Sequence, residues 1–274
     1  MSPAYQGADG AEISLTGGVL ELRLVRPDKR NALTDEMVGA LIEAVDAAGR
    51  DEAVRVITIT GEGEHFCGGF DIVARNAGND SRDRRRPRAG SIQRRLPSQA
   101  HRLIPLLLSV QVPVVCAAQG WTAGIGLQLA VAADVAIVSE DARLWMPFTE
   151  RGITPDSGAT WMLPRRVGEV RAREMLLLGR VLSGTEAAEW GLVHRAVPAA
   201  DLQPAMAEVV DRLAAGPTVA LGLTKWLLHA GAQDSLEQHL RNEAFALELS
   251  SRSEGFREGL SAFAEKRPPR FEGR

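Results

Sequence analysis

Apolar and polar residues alternate through Val19-Leu20-Glu21-Leu22-Arg23-Leu24-Val25, the two-residue period of a strand with one buried face. Arg26-Pro27-Asp28-Lys29-Arg30-Asn31 ends it. The period then changes. Met37, Val38, Leu41, Ile42 and Val45 recur at helical spacing behind Thr34, a capping residue, with Asp35 and Glu36 suited to the first turn. Val54-Arg55-Val56-Ile57-Thr58-Ile59-Thr60 reads as a second strand, and strand, helix, strand in succession predicts an α/β architecture.

Further on, His101, Leu103, Ile104, Leu106, Leu107 and Leu108 predict a mostly apolar helix. An apolar strand from Pro113 to Ala118 then runs through Gly120, Gly124 and Gly126 into a helix that is apolar nearly all round, and so buried. Val135-Ala136-Ile137-Val138 is a short buried strand, Met146 to Thr160 a turn-rich loop, Ser183 with Glu186 a capping box, and Gly191-Leu192-Val193 the approach to a last strand. Beyond Pro198 the pattern is helical throughout: Leu202 to Leu213, Val219 to His229, Leu236 to Leu249 and Gly255 to Lys266. The boundary near residue 200 predicts an α/β core over 1–200 and a helical region over 201–274, whose spare apolar faces need another surface to cover them.

Composition adds exclusions. With 45% hydrophobic and 24% charged residues in 274, this is a globular protein of ordinary make-up. A net charge of −3 gives no general attraction to nucleic acid or to an anionic membrane. No apolar run approaches the roughly 18 residues of a spanning helix. Met1 to Gly7 lacks the basic-then-apolar pattern of a secretory signal. A cytoplasmic protein without a membrane partner is expected. Cys67 and Cys116 are the two cysteines, each beside apolar or glycine residues, which predicts buried free thiols rather than a disulfide or metal site.

Candidate chemistry sits at two glycine turns, Phe66-Cys67-Gly68-Gly69-Phe70-Asp71-Ile72 and Gly120 to Gln128. Glycine lets a ligand approach the main chain, and the N–H of Ile125, in the first turn of a helix, suits a developing oxyanion. Close packing of strand on helix would use the same glycines. Asp156 either caps the following helix or acts as an acid/base. Ser81-Arg82-Asp83-Arg84-Arg85-Arg86-Pro87-Arg88 reads as a solvated loop or as a guanidinium cluster for a ligand phosphate.

Four stretches, in order, then carry a resemblance: Arg26 to Leu33, His65 to Ile72, Gly120 to Gln128, and Gly152 to Gly158 followed by Leu163-Pro164-Arg165. Together they resemble the crotonase superfamily, the enoyl-CoA hydratases and isomerases, over nearly the whole chain. The resemblance implies a crotonase-like spiral of ββα units with a C-terminal helical trimerisation domain. It implies a homotrimer, or a hexamer made of two trimers. The substrate would be an acyl-CoA thioester, with coenzyme A as part of the substrate, no separate cofactor and no metal. The thioester oxygen would sit between the backbone N–H groups of Phe70 and Ile125. Lys29, Arg30, Gly68, Gly69, Asp71, Ile72 and Phe148 would line the substrate, and Phe263 and Lys266 of the last helix would reach CoA.

Departures from the family pattern bear on the reaction. The two glutamates of a hydratase are replaced by Gln128 and Phe148, neither of which exchanges a proton near neutrality. Asp156 matches an aspartate used as acid/base in dienoyl-CoA and ring-epoxide isomerases, which favours an isomerase with Phe148 as an apolar wall. The same position carries the attacking aspartate of an aryl-CoA dehalogenase, the rival reading. A non-catalytic acyl-CoA- or RNA-binding protein on this fold is the reading from another class. The acidic balance, and the lack of aromatic residues among the arginines, argue against nucleic acid.

Overall fold

The computed structural model describes residues 5–72 and 90–272; the arginine run at 82–88, with both its readings, lies outside them. A hairpin opens the chain, β1 (Ala11–Thr16) and β2 (Val19–Leu24), followed by α1 (Asp35–Ala48) and β3 (Val56–Gly61). Next come α2 (Ser91–Arg95), α3 (Ala100–Ser109), β4 (Val114–Ala118), β5 (Trp121–Ala123), α4 (Ile125–Ala132), β6 (Val135–Ser139) and β7 (Arg143–Trp145). The remainder is α5 (Ala159–Leu177), β8 (Leu182–Ser183), α6 (Gly184–Glu189), β9 (Arg195–Val197), α7 (Leu202–Ala214), α8 (Thr218–Ala230), α9 (Leu236–Ser250) and α10 (Glu254–Glu265).

Two sheets result. The large one has strand order β1-β2-β3-β4-β6-β9, antiparallel only between β1 and β2, and the small one has order β5-β7-β8. Isolated bridges Leu33↔Phe70 and Cys67↔Thr122 extend the small sheet. Successive turns of the chain therefore place a strand in the large sheet and then a bridge or strand in the small one: β2 then Leu33, β3 then Cys67 and Phe70, β4 then β5, β6 then β7. This is the ββα spiral that the resemblance implied.

Burial explains the strand patterns. β2 alternates because one face looks into the core, whereas all five residues of β4 are buried because both faces are covered. On one side lie α1, α3 and α4, joined in a single core with Leu22, Ile57, Cys116 and Leu127. On the other lies α7, where Val210 packs on Val56 and Val115, and Leu202 on Ala117 and Ile137. Thus the first helix beyond residue 200 buries its apolar face on the sheet of its own chain. Open apolar faces lie further on, at Leu228, Leu236, Leu240, Phe245, Leu247, Phe256, Leu260 and Phe263. The predicted capping residues do cap: Thr34 Oγ1 accepts from the N–H of Met37, and Ser183 and Glu186 form the reciprocal box. Among the described residues no helix is long and apolar enough to cross a membrane.

Candidate active site

The Cys67–Ile72 turn is hung on its neighbours by main-chain bonds. Cys67 donates to Trp121 O (3.0 Å) and accepts from Ala123 N (2.8 Å), while Gly68 donates to Arg30 O (2.7 Å). Leu33 N donates to Gly69 O at 2.8 Å, and Asp71 N to Leu33 O at 3.0 Å. Between these ties Gly69 takes φ +105° and hands the chain to Phe70. In the second turn Gly124 has φ 55° and ψ −124°, and donates to Trp145 O at 2.9 Å. Ile125 follows as the first residue of α4, where helix N–H groups lack intrahelical acceptors and the macrodipole is positive.

The two turns abut. A Cβ on Gly124 would stand 3.8 Å from Gly69 Cα, and one on Gly69 would stand 3.4 Å from Ala123 O. Cys67 fills the space behind them, since a Cβ on Gly126 would lie 2.6 Å from Cys67 Cβ. Its thiol accepts from Gly69 N at 3.5 Å, and burial pushes its pKa up to about 12, so it stays protonated. Both cysteines are free and buried, as their neighbours in sequence predicted.

Asp156 is half-buried, and its Oδ1 accepts from Ser157 Oγ at 2.8 Å. Ser157 is itself buried, with φ +53°. The capping alternative for Asp156 is overturned: Gly158 is the N-cap of α5, and no side chain caps that helix. The carboxylate is thus committed to Ser157 rather than to helix N–H groups. Beside it opens a cavity of about 360 Å³, lined by Ser157 and Gly158, by His101, Ile104, Pro105 and Leu108 of α3, by Trp161 and Met162 of α5, and by His229 of α8.

Gln128 is fully buried, its Nε2 3.6 Å from Met146 Sδ, and its Oε1 has no partner among the described residues. Phe148 is buried in the core. Lys29 and Arg30 are exposed on a short 3-10 turn, Pro27–Lys29, with Arg30 at φ 51°. Asp71 pairs with Arg26 at 3.1 Å, and Arg26 also donates to Ala32 O at 2.6 Å. Phe263 is 84% exposed on α10, and Lys266, likewise exposed, ends that helix in the left-handed region. The structure therefore gathers Gly68, Gly69, Phe70 and Ile125 at the abutting turns. Phe263 and Lys266 instead lie on a helix that packs on α8.

Several residues of the site escaped the sequence pattern. Asn31 is fully buried: its Oδ1 accepts from Arg26 N (2.7 Å), and its Nδ2 donates to Glu62 O (2.9 Å) and His65 O (2.7 Å), tying the first motif to the turn before the second. His101 registered only as the start of a helical stripe, and nothing local marks His229. Among the described residues no group of three or more His, Cys, Asp or Glu is placed to hold a metal ion.

The ββα spiral thus brings two glycine turns together at the N-terminus of α4. The enoyl-CoA hydratase/isomerase family model matches residues 14–274, and the chain belongs to that family. It is 36% identical to the 1,2-epoxyphenylacetyl-CoA isomerase of Escherichia coli (strain K12), across 94% of this chain and 96% of that protein. It is 33% identical to 4-chlorobenzoyl coenzyme A dehalogenase-1 of Arthrobacter sp, across 92% and 89%. The solved enoyl-CoA hydratase of Bacillus anthracis superimposes with a TM-score of 0.88 at 30% identity, covering 97% of this chain and 100% of that one.

Proposed function

We propose that this protein is an isomerase of acyl-CoA thioesters, with Asp156 as the group that lifts a proton from one carbon and returns it to another. The observation that carries the reading is a carboxylate bonded to Ser157, which lines the cavity. Asp156 is half-buried and bonded to Ser157 at 2.8 Å, whereas the positions that hold two glutamates in a hydratase carry Gln128 and Phe148. Neither can activate water. Loss of a proton beside the thioester leaves an enolate, whose oxygen the N–H groups of Phe70 and Ile125 would hold, each such donor contributing about 3–4 kcal/mol. Coenzyme A enters as part of the substrate, its phosphates facing Lys29 and Arg30, and the exposed apolar faces of α9 and α10 are covered in a homotrimer in the cytoplasm.

A second reading has its own support. His101 lines the same cavity as Ser157, and an imidazole there would be the base that activates water to cleave an ester formed on Asp156; a dehalogenase is among the relatives. One experiment separates the two: enoyl, dienoyl and aryl CoA thioesters are incubated in heavy water and followed by mass spectrometry. Isomerisation leaves the mass unchanged apart from exchanged deuterium. Hydration would add water, and dehalogenation would remove halide.

A further inference from the structure

We propose that the cavity between α3, α5 and α8 receives a compact acyl group of one or two rings, and that His229 is the residue that selects it. The inference rests on the acyl-CoA reading above and names the substrate class for that site.

Size comes first. An apolar cavity of about 150 Å³ holds one benzene, and this one measures about 360 Å³. It accommodates a substituted ring or a pair of rings; a long straight chain would have to run out of it into water.

Shape comes second. Trp161 and His229 present their rings to the space at a centroid distance of 6.5 Å and an interplanar angle of 55°. Such an angled pair suits the edge and face of a third ring, and Ile104, Leu108 and Met162 complete an apolar lining.

Both ring walls are fixed. Arg165 lies over Trp161 with its guanidinium carbon 4.0 Å from the ring centroid, and its Nη1 donates to Trp161 O at 2.9 Å. His229 stands one turn after Lys225, which is buried to 7% exposure. The Lys225 ammonium donates to Leu107 O (2.8 Å) and Val112 O (3.1 Å) and pairs with Asp134 at 2.7 Å. Leu107 belongs to α3, the helix that supplies Ile104 and Leu108. The lysine thus latches the helix bearing His229 to the opposite wall, holding the aperture at a set width. In this way the helical region completes the site of its own chain.

The test uses thioether analogues of CoA, which lack the carbonyl and need neither the N–H pair nor Asp156. Dissociation constants are measured by calorimetry for 2-phenylethyl-, naphthylmethyl-, n-butyl- and n-hexadecyl-CoA, with free CoA as reference. The ring analogues are expected to bind about tenfold or more tightly than the butyl analogue. His229→Phe keeps that gain, His229→Ala and His229→Gln lose most of it, and free CoA binds all forms alike. Equal affinity for ring and butyl analogues, tightest binding of hexadecyl-CoA, or an undiminished ring preference in His229→Gln overturns the inference while leaving the acyl-CoA reading intact. Failure of free CoA to bind the wild type overturns both.

Discussion

Gly69 and Gly124, 55 residues apart in sequence, meet so closely that a Cβ on Gly124 would touch Gly69 Cα at 3.8 Å, and both have positive φ. Phe70 and Ile125 each follow one of these two glycines in sequence. Space is not what forbids a side chain at Gly124; its φ of 55° with ψ −124° is. Gly124→Ala should cost about 1–3 kcal/mol of strain and swing the N–H of Ile125, lowering kcat by about 10²–10³. Circular dichroism and kcat together check this: a folded variant with wild-type turnover would remove Ile125 from the mechanism.

The Asp156 side chain accepts from Ser157 Oγ and caps no helix. Asp156→Asn keeps the shape and loses the proton-accepting charge, so turnover should fall by about 10²–10⁴ while acyl-CoA affinity stays within a few-fold. Ser157→Ala should cost much less, as it orients the carboxylate without exchanging the proton. Steady-state kinetics beside calorimetry make the comparison, and undiminished turnover in Asp156→Asn would exclude the aspartate as base.

Three acidic groups are held protonated by burial. Desolvation raises the Cys67 thiol from its ordinary 9.0 to about 12 and raises Cys116 as well. Tyr5 is raised by desolvation and by the bond from its hydroxyl to Asp51, 2.8 Å long. In each case the native state keeps a proton that the unfolded chain releases above the ordinary value. Stability is full below about pH 9 and falls as pH rises towards 12, by about 1.4 kcal/mol per pH unit for each thiol. Urea midpoints between pH 7.5 and 10.5 should decline, and less steeply in Cys116→Ala. A flat profile would mean that the thiols ionise in the native state.

How far the fold was legible depended on whether an element repeats. The stripe of Met37, Leu41 and Val45, the alternation in β2 and the unbroken apolar run of β4 each carry a period, and Thr34 and Ser183 mark helix starts by side-chain chemistry. β5, β7 and β8 run two or three residues, too short for any period, and they exist only because the spiral stacks them. Within the site, the glycine turns and Asp156 were visible as motifs. Their order along the chain marked the family. Asn31 reads as an ordinary turn residue until its amide is seen spanning to Glu62 and His65, and His229 until α8 is seen against α3. Long-range contact, not local pattern, gives those residues their places.

Lys225 is a buried charge whose ammonium bonds outside its own helix, to Leu107 O, Val112 O and Asp134. Removing one member of such a pair leaves the other stranded. Lys225→Met should destabilise by about 3 kcal/mol, the lower end for a broken buried pair because the Asp134 side chain is about a third exposed. Chemical denaturation checks the magnitude; a loss under 1 kcal/mol would show that α8 is held chiefly by its apolar contacts.

Phe263 is the most exposed of the large apolar side chains on α10. At 84% exposure the ring contributes almost nothing to the stability of its own chain, and the same helix also exposes Phe256 and Leu260. Covering each such side chain would contribute about 1.5–3 kcal/mol, which is the gain expected if a second copy of the chain packs its own α9 and α10 there. Phe263→Ala should therefore leave the denaturation midpoint of the dissociated protomer unchanged, while it weakens assembly, CoA affinity or both. Truncation after Ser250 removes α10 altogether and should give a species that sediments as a protomer and binds CoA poorly. Because α10 packs on α8, the point variant is the cleaner of the two: it alters no packing around His229. Sedimentation velocity and CoA calorimetry on both forms decide the matter. A truncated chain that sediments as the full-length chain does and binds CoA normally would exclude the coupling of assembly to ligand binding.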